Sequence, residues 1–517
     1  MKIQNNTEFL YPVKVIKHFD INNPDNLMLN KTLNVSFYAK DIIEFTQKGS
    51  YVLLDFGKEL CGGIRIITRE TEGIASFHIR MGESVTEAMA ELGYKNAGND
   101  HSPRDFTVTV NSLSDLTFGQ SGFRFVYVEL CSENPVLVQS IVGVNNIPQF
   151  SFEAKIKTDD EEINKILDTA AYTLKLCCQN GVIWDGIKRD RLIWSGDLHQ
   201  EILTSLYLFG DNENVKNSLS FVKNDTGSDK WMNWIPSYSA WWIISLCDYY
   251  NITGNKEFFD ENKLYAETIL KKINIAIDDN GYINTSNSGM PYFLDWPTYE
   301  TEDAVIGTAS IFVLAAKRFL LHSENLDAKE VLQKLIPVLE KSKPITKQAL
   351  AFKNLALESD EDISSLLEKD GAHGFSTFMA YYILKADVAS GGKNILNLIK
   401  EYFGGMLNCG ATTFWEDFDI AWIAGASRID ELPCTEKKDI HGDYGKYCYK
   451  GFRHSLCHGW ASGVYALFVE NIIGLKIENG EISVNPNTMG IKSIKASIPI
   501  GNRIHKFVIE NNKCVKI

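Results

Sequence analysis

The chain has 517 residues, of which 44% are hydrophobic and 23% are charged, and its net charge is −14 at neutral pH. This length predicts two to four domains, and the composition is that of a globular protein. So acidic a surface repels phosphate backbones and anionic lipid, which argues against nucleic acid and membrane surfaces as partners.

The sequence has no continuous apolar stretch behind its first charge, so we expect no signal peptide. It has no run of about 18 apolar residues that could span a bilayer. The 10 cysteines are scattered without CxxC pairs, which predicts reduced, mostly buried thiols. No His/Cys spacing resembles a zinc site, and no loop follows the EF-hand pattern. We therefore expect a cytoplasmic protein without a cofactor, and leave bound calcium and association of identical chains open.

The first part of the chain has the pattern of β structure. Apolar runs at 51–57, 62–67 and 74–81 are separated by Gly, Asn and Ser turns. In the run 123–128 both alternating sets are suited to burial, so both faces of that strand should be covered. Short strands with such turns predict an N-terminal β-sandwich domain over residues 1–152.

From residue 153 the apolar period becomes helical. Thr158 to Glu161 resembles a capping box, and apolar residues from Ile163 to Cys178 fall on one helical face. Roughly a dozen helical segments follow, without a short repeat. Clear examples are Tyr238–Tyr250, Lys256–Ile277, Thr308–His322 and Ser376–Ala389. Residues 153–474 are thus predicted to form one helical domain.

The C-terminal part returns to β structure. Asn479-Gly480 stands between two alternating runs, which predicts a hairpin. Ile494, Ala496 and Ile498 alternate again. A small β domain over residues 475–517 follows.

Three polar-aromatic segments interrupt the helical part. The first, Trp184 to Asp197, holds three Asp, three basic residues and two Trp within fourteen residues. Carboxylates placed among cations and indole rings are typical of a site where their ionisation is tuned. A solvated loop with surface ion pairs is the alternative.

In the second segment, Gly410 to Asp419, Glu416 follows Trp415 within a largely apolar stretch. A buried carboxylate is costly unless it is paired or used. The alternative is a helix N-terminal Glu near Thr412 and Thr413. In the third segment, Arg453 to Trp460, His458 is a candidate to bind sugar hydroxyls or, alternatively, a satisfied core histidine.

Aromatic residues supply further candidates. Trp234 and Trp296, each at or near a proline, fit loops that face a pocket, and Asp295 precedes Trp296. Trp241 and Trp242, at helical spacing, fit the core. Carboxylates together with tryptophan platforms, and without a metal cluster or phosphate loop, are what glycoside hydrolysis requires.

These segments carry a resemblance to the α-L-rhamnosidases of glycoside hydrolase family 78. The family motif Asp/Glu-Arg-x-x-Trp-x-Gly-Asp is similar to Asp190 to Asp197, with Asp185 as its leading Asp. Gly-Ala-Thr-Thr-x-Trp-Glu corresponds to Gly410 to Glu416, and Ser-Leu-x-His to Ser455 to His458. The three motifs occur in the family order.

The resemblance implies a central (α/α)6 toroid flanked by an N-terminal β-sandwich and a small C-terminal β-sandwich. It also implies an inverting hydrolase that removes terminal α-L-rhamnose, with Asp190 as general acid and Glu416 as general base. The residues expected to bind the substrate are Asp185, Arg189, Trp194, Asp197, Trp234, Asp295, Trp296, Trp415 and His458.

One departure concerns the acid. Many members of the family have Glu where this chain has Asp190, whose carboxyl is one methylene shorter. Lys188, Arg189 and Arg191 flank it, and a cation nearby favours the ionised form of a carboxyl. Asp185 and Asp197 are therefore the alternative acids. A toroid hydrolase of other specificity, and a sugar-binding protein with a decayed catalytic pair, remain alternative functions.

Overall fold

The structure is a computed structural model that describes residues 5–285, 288–299, 301–359, 361, 363–445, 450–478, 481–501 and 503–516. In these residues a β region, a helical body and a second β region follow one another along the chain. This order confirms the coarse prediction of helical and β parts. The domain boundaries at 152/153 and 474/475 stay predictions.

The first β region is an antiparallel sheet, in which nine strands lie within the described residues. Its order is β3-β4-β9-β5-β8-β6-β7, with β1 added to β9 and β2 to β5. The strands are β1 Asn5–Leu10, β2 Lys14–Phe19, β3 Ile21–Asn22, β4 Ile43–Phe45, β5 Tyr51–Thr71, β6 Ala75–Gly82, β7 Asp105–Val110, β8 Asp115–Leu130 and β9 Val136–Pro148; helix α1, Val85–Met89, follows β6.

Strand β5 organises this sheet. It unites the two predicted runs at 51–57 and 62–67, and its register against β8 shifts between Asp55 and Leu60. Its first half pairs with β2 and its second half with β9. Residues 121–128 of β8 are buried except for the partly exposed Tyr127, which confirms that both faces of that strand are covered.

The helical body contains six helices that close a ring. Each of α3, α5, α7, α9, α11 and α14 contacts the next, and α14 contacts α3. The helices are α2 Glu161–Cys177, α3 Leu198–Phe209, α4 Glu213–Asp225, α5 Pro236–Thr253, α6 Lys256–Ile275, α7 Glu302–Leu320, α8 Leu326–Lys341, α9 Lys347–Leu357, α10 Ser364–Asp370, α11 Met379–Ala389, α12 Ile395–Ile399, α13 Gly405–Asn408 and α14 Gly463–Leu467. The strands between them are β10 Lys155–Thr158, β11 Cys178–Gln179, β12 Val182–Ile183, β13 Ala426–Ser427 and β14 Lys438–Asp439.

The ring helices run in the same direction. In their first turns, Gln200 of α3 bonds to the carbonyl of Phe378, which precedes α11. Towards their other ends, Lys385 of α11 pairs with Glu470, in the helical turn Phe468–Ile472 that continues α14. Tyr238 in the first turn of α5 bonds to Asp197, which precedes α3, and Thr346, which precedes α9, bonds to Asp303 in the first turn of α7. Asp248 and Arg318, in the C-terminal halves of α5 and α7, lie 3.6 Å apart. The N-terminal ends of the ring helices, and the loops that precede them, therefore meet on one face of the ring.

All four predicted helices are present, as α5, α6, α7 and α11. Trp241 and Trp242 are buried, as predicted. The predicted capping box at Thr158 to Glu161 is wrong by two residues. Asp160 is the N-cap of α2, and its side chain accepts the N–H groups of Glu162 and Ile163. Thr158 instead ends β10.

The C-terminal strands are β15 Leu475–Glu478, β16 Glu481–Val484, β17 Ser493–Ile500, β18 Arg503–Glu510 and β19 Lys513–Lys516. β15 and β16 form the predicted antiparallel pair, while their Asn479-Gly480 turn lies outside the described residues. β17, β18 and β19 form a sheet whose fourth strand is β10, from before the helical body. No helix in the described part of the chain is long and apolar enough to cross a membrane.

Candidate active site

The first polar-aromatic segment forms a loop between β12 and α3, on the N-terminal face of the ring. Asp190 and Arg191 both have positive φ, 59° and 53°, and this reversal returns the chain to Asp185. The Asp185 Oδ1 accepts the N–H groups of Gly186 (2.8 Å) and Leu192 (3.0 Å). One carboxylate thus fastens both ends of the reversal.

Arg189 joins this loop to the second segment. Its Nη2 donates to both Glu416 oxygens, at 2.6 and 2.7 Å, and its Nη1 donates to Asp190. The Arg189 and Glu416 side chains are each 4% exposed. The two predicted catalytic carboxylates therefore meet at one buried guanidinium, although they lie far apart in the chain.

Glu416 lies on a loop, so the alternative that it begins a helix is wrong. Its backbone N–H donates to the Ser455 carbonyl (2.9 Å), and the Ser455 N–H donates to Glu416 Oε2 (3.0 Å). Its carbonyl accepts from Thr377 Oγ1 (2.6 Å) and from Trp460 Nε1 (2.9 Å). These bonds hold the carboxylate against the third predicted segment.

The other two cations of the loop point away from Asp190. The Lys188 Nζ donates to the carbonyls of Phe452 (2.7 Å) and His454 (2.6 Å). Arg191 donates to the Ile187 carbonyl, and its guanidinium lies 5.1 Å above the Trp184 ring. Of these three cations, Arg189 is the one that contacts the Asp190 carboxyl.

Two further carboxyls of the loop are buried close to this pair. Burial raises the pKa of Asp185 well above its usual value, and the nearby negative charges of Asp190 and Asp197 raise it further. Burial likewise raises the pKa of Asp197; the Tyr238 hydroxyl, 3.2 Å away, opposes this rise, whereas the charge of Glu416 adds to it. The site therefore holds more carboxyls than it can ionise together.

A narrow cleft with a volume of only about 10 Å³ lies in front of Glu416. Its lining includes Asp295, Trp296, Ser376, Asp417 and Trp460. Burial raises the pKa of Asp295 to about 6, and its Oδ2 accepts from the Ser376 hydroxyl at 2.8 Å. The volume is below the roughly 300 Å³ at which small-molecule sites usually begin, so a sugar ring requires side chains to move.

The predicted aromatic residues are divided between rim, cleft and core. Trp296 lines the cleft, whereas Trp194 lies 6.3 Å from Tyr238 and 6.4 Å from Trp234, ring to ring. Trp234 is 68% exposed, on the outer rim. Trp415 is fully buried against Phe418 and His454, so its predicted contact with substrate lacks access to the cleft.

His458 is buried beside Trp460, with ring centroids 4.4 Å apart. Burial lowers the pKa of His458 well below its usual value, and the charge of Arg189 lowers it further. Its Nδ1 has no hydrogen-bond partner among the described residues. A neutral imidazole with a free nitrogen can bond a hydroxyl group.

Sequence reasoning missed some residues of the site. Tyr238, which donates to Asp197, was hidden in an aromatic run, and Ser376 gave no signal. Glu201 is buried one helical turn after Asp197, and burial raises its pKa well above the usual value, with the charge of Asp197 adding to the rise. The i, i+4 spacing of these two carboxyls could have revealed Glu201.

Comparison with known proteins gives both a family match and structural neighbours. Residues 151–329 match the family model described as bacterial α-L-rhamnosidase 6 hairpin glycosidase domain. A rhamnosidase from Klebsiella oxytoca, solved with rhamnose bound, has a TM-score of 0.70 at 19% identity, over 90% of this chain and 96% of that one. A search of curated proteins by sequence found no match.

Other neighbours are longer than this chain. The family 78 rhamnosidase of Bacillus sp. GL1 has a TM-score of 0.69 at 17% identity, over 93% of this chain and 52% of that one. The α-L-rhamnosidase of Streptomyces avermitilis, complexed with L-rhamnose, has a TM-score of 0.66 at 16% identity, over 92% and 49%. The chain thus spans about half the length of these two relatives. The predicted resemblance to family 78 α-L-rhamnosidases is confirmed, and at these identities the structures show a shared fold.

Proposed function

Since residues 151–329 match a bacterial α-L-rhamnosidase domain, we propose that the protein is an inverting glycoside hydrolase that removes terminal α-L-rhamnose. The single observation that carries the proposal is the meeting of Asp190 and Glu416 at the Arg189 guanidinium. The closed ring of six parallel helices supports an (α/α)6 toroid, and the antiparallel sheets on either side support the predicted sandwich domains.

Glu416 is the proposed general base. The Ser455 N–H and Arg189 hold its carboxylate in one orientation beside the cleft, where it can take a proton from a water molecule. Asp190 contacts Nη1 and Glu416 contacts Nη2 of Arg189, so the guanidinium lies between the two carboxyls. Inversion requires a separation of roughly 6.5–9.5 Å between them, because a water molecule must fit between the base and the sugar; that separation is part of the proposal.

Asp190 is the proposed general acid. Its side chain is 13% exposed, whereas Asp185 and Asp197 are 4% and 3% exposed as residues, so a leaving group reaches Asp190 first. A cation in contact with a carboxyl favours its ionised form. The proposal therefore requires that a bound sugar separates Arg189 from Asp190. If this separation does not occur, Asp197, whose pKa burial raises, is the alternative acid.

The cleft is proposed to bind one deoxysugar. Asp295, His458 and Asp185 offer hydrogen bonds to hydroxyl groups, and Trp296 offers an apolar face to the ring. Rhamnose bound to the Klebsiella oxytoca protein supports this choice of sugar. For this chain, both the sugar and the linkage remain part of the proposal.

Hydrolysis of aryl α-L-rhamnosides tests the proposal, with the anomer of the first-formed product followed by NMR. We expect the β anomer to form first, and Glu416→Gln to abolish turnover. A general acid matters most for poor leaving groups. Asp190→Asn should therefore retain activity on a dinitrophenyl glycoside and lose it on an alkyl glycoside.

Each competing function gives a different result. If Asp197→Asn keeps activity on the dinitrophenyl glycoside and loses it on the alkyl glycoside, while Asp190→Asn is active on both, Asp197 is the general acid. Turnover of another glycoside in preference to rhamnosides would support the toroid hydrolase of other specificity. Rhamnose binding by calorimetry without turnover would support a decayed catalytic pair.

A further inference from the structure

A buried polar junction joins the first β region to the site. Glu83 follows β6 and Glu87 lies in α1; both are completely buried. The Lys188 Nζ, from the loop that carries Arg189, lies 2.9 Å from Glu83 and 3.2 Å from Glu87. Buried charges are retained where they are paired, and this pairing ties the catalytic loop to the sheet.

Glu83 also holds the segment that positions Glu416. Its Oε2 accepts the Leu456 N–H at 2.6 Å, and its Oε1 lies 3.4 Å from the Ser455 hydroxyl. Ser455 in turn exchanges two backbone bonds with Glu416, one of them to the carboxylate. Glu83 thus binds the amide of Leu456, and the amide of the preceding residue, Ser455, binds the Glu416 carboxylate.

The junction is closed around Lys188. His441 Nε2 donates to the His454 carbonyl (2.8 Å), and His441 Nδ1 accepts from the Ser84 hydroxyl (2.8 Å). Glu83, Glu87 and His441 stand close enough together to share one cation. The Lys188 ammonium supplies that positive charge, because it lies between the Glu83 and Glu87 carboxylates.

We propose that Glu83 is a positioning residue for Glu416: it holds the Ser455–Leu456 backbone, and through it the carboxylate, in the orientation needed for catalysis. The first β region then forms part of the active site, because Glu83 acts on Glu416 through the Ser455–Leu456 backbone. This inference rests on the proposed function for its kinetic consequence alone. Its structural consequence can be measured without any substrate.

The test compares Glu83→Ala and Glu83→Gln with Glu91→Gln. Glu91 lies just after α1, and its side chain is 83% exposed, which makes it a matched control. A displacement of about 1 Å at a catalytic group can reduce the rate about 100-fold. We therefore expect Glu83→Ala to lose about 100-fold in kcat with KM changed less than about twofold. Glu83→Gln should lose less, because its amide oxygen still accepts the Leu456 N–H.

Hydrogen exchange resolved to single amides is the second readout. The Leu456 amide loses its acceptor in Glu83→Ala in any case; the informative amide is Ser455, which donates to Glu416. We expect the Ser455 amide to exchange faster in Glu83→Ala and unchanged in Glu91→Gln. If Glu83→Ala does not fold, kcat and the exchange rate of the Ser455 amide are measured in Glu83→Gln, and these two values test the positioning role.

The outcomes separate the two proposals. Unchanged Ser455 exchange, or unchanged kcat despite faster exchange, overturns the positioning role. A lower melting temperature with normal kcat per folded molecule also overturns it, because that result shows a structural role only. A wild-type protein without rhamnosidase activity contradicts the proposed function. In that case the exchange rate of the Ser455 amide still tests whether Glu83 holds the Ser455–Leu456 backbone in place.

Discussion

Asp295 is a buried carboxyl whose ionisation the fold opposes, and replacing it by asparagine isolates that effect. It is 4% exposed. Its Oδ1 accepts from the Thr298 hydroxyl (2.6 Å) and its Oδ2 from the Ser376 hydroxyl (2.8 Å). Asparagine has nearly the same shape; its carbonyl can accept from Thr298 and its amide can donate to Ser376. Asp295→Asn therefore removes the ionisable carboxyl and keeps the hydrogen bonds to Thr298 and Ser376.

The magnitude follows from linkage between protonation and folding. Burial raises the pKa of Asp295 from 3.8 to about 6, so between these pH values the folded protein keeps a proton that the unfolded chain has lost. The free energy of unfolding therefore falls as the pH rises from about 4 through about 6, and then levels off. At about 1.4 kcal/mol for each pKa unit, the loss from Asp295 reaches about 3 kcal/mol at pH 8.

Chemical denaturation of wild type and Asp295→Asn across pH 4 to 8 measures this effect. We expect equal free energies of unfolding near pH 4 and an advantage of about 3 kcal/mol for the variant at pH 8. Asp279→Asn, at an exposed turn position, should differ from wild type by a constant amount. An Asp295→Asn difference that does not change with pH would refute the argument. Activity should fall in the same variant if Asp295 binds the sugar.

Three other substitutions test the surroundings of Asp190 and Glu416, the proposed catalytic pair. Arg189→Met leaves the Glu416 carboxylate buried without its cation, so we expect denaturation to show a loss of about 3–5 kcal/mol; adding Glu416→Gln should restore part of it, and no restoration would contradict the pairing. In Gly196→Ala the new Cβ would lie 2.3 Å from the Tyr238 ring, and we expect a loss of about 1–3 kcal/mol in stability together with a lower kcat. Tyr238→Phe removes the hydroxyl that bonds to Asp197; it should lower stability by about 1–3 kcal/mol, and an unchanged kcat/KM would show that Asp197 does not need this bond.

Much of the secondary structure could be predicted because it depends on local periodicity. The apolar spacing of α2 and α6 identifies one buried helical face in each, and the two apolar sets of β8 identify a strand covered on both faces; neither pattern requires reference to other segments. The start of α2 was misplaced because Thr158 and Asp160 are both good N-caps. Only the pairing of Thr158 with Ile494 in the C-terminal sheet decides between them, and that pairing is not local.

The sequence could name the residue types of the candidate site but not the contacts between them. Asp190 and Glu416 could be named from motifs. The side chains of Lys188, Arg189 and Arg191, by contrast, are long enough to point in any direction. Their separate destinations depend on the positive φ at Asp190 and Arg191, and only the packed structure shows which cation reaches Glu416.

Strand β10 gives the helical body a particular folding problem. It precedes the first helix of that body, yet it pairs with β17, which follows the last. This pair closes a loop of chain that contains every helix of the ring, and closing so long a loop is slow because many conformations must be lost first. Helix α3 packs against β17, so during synthesis that face of α3 stays uncovered, and open to aggregation or chaperone binding, until the final strands emerge.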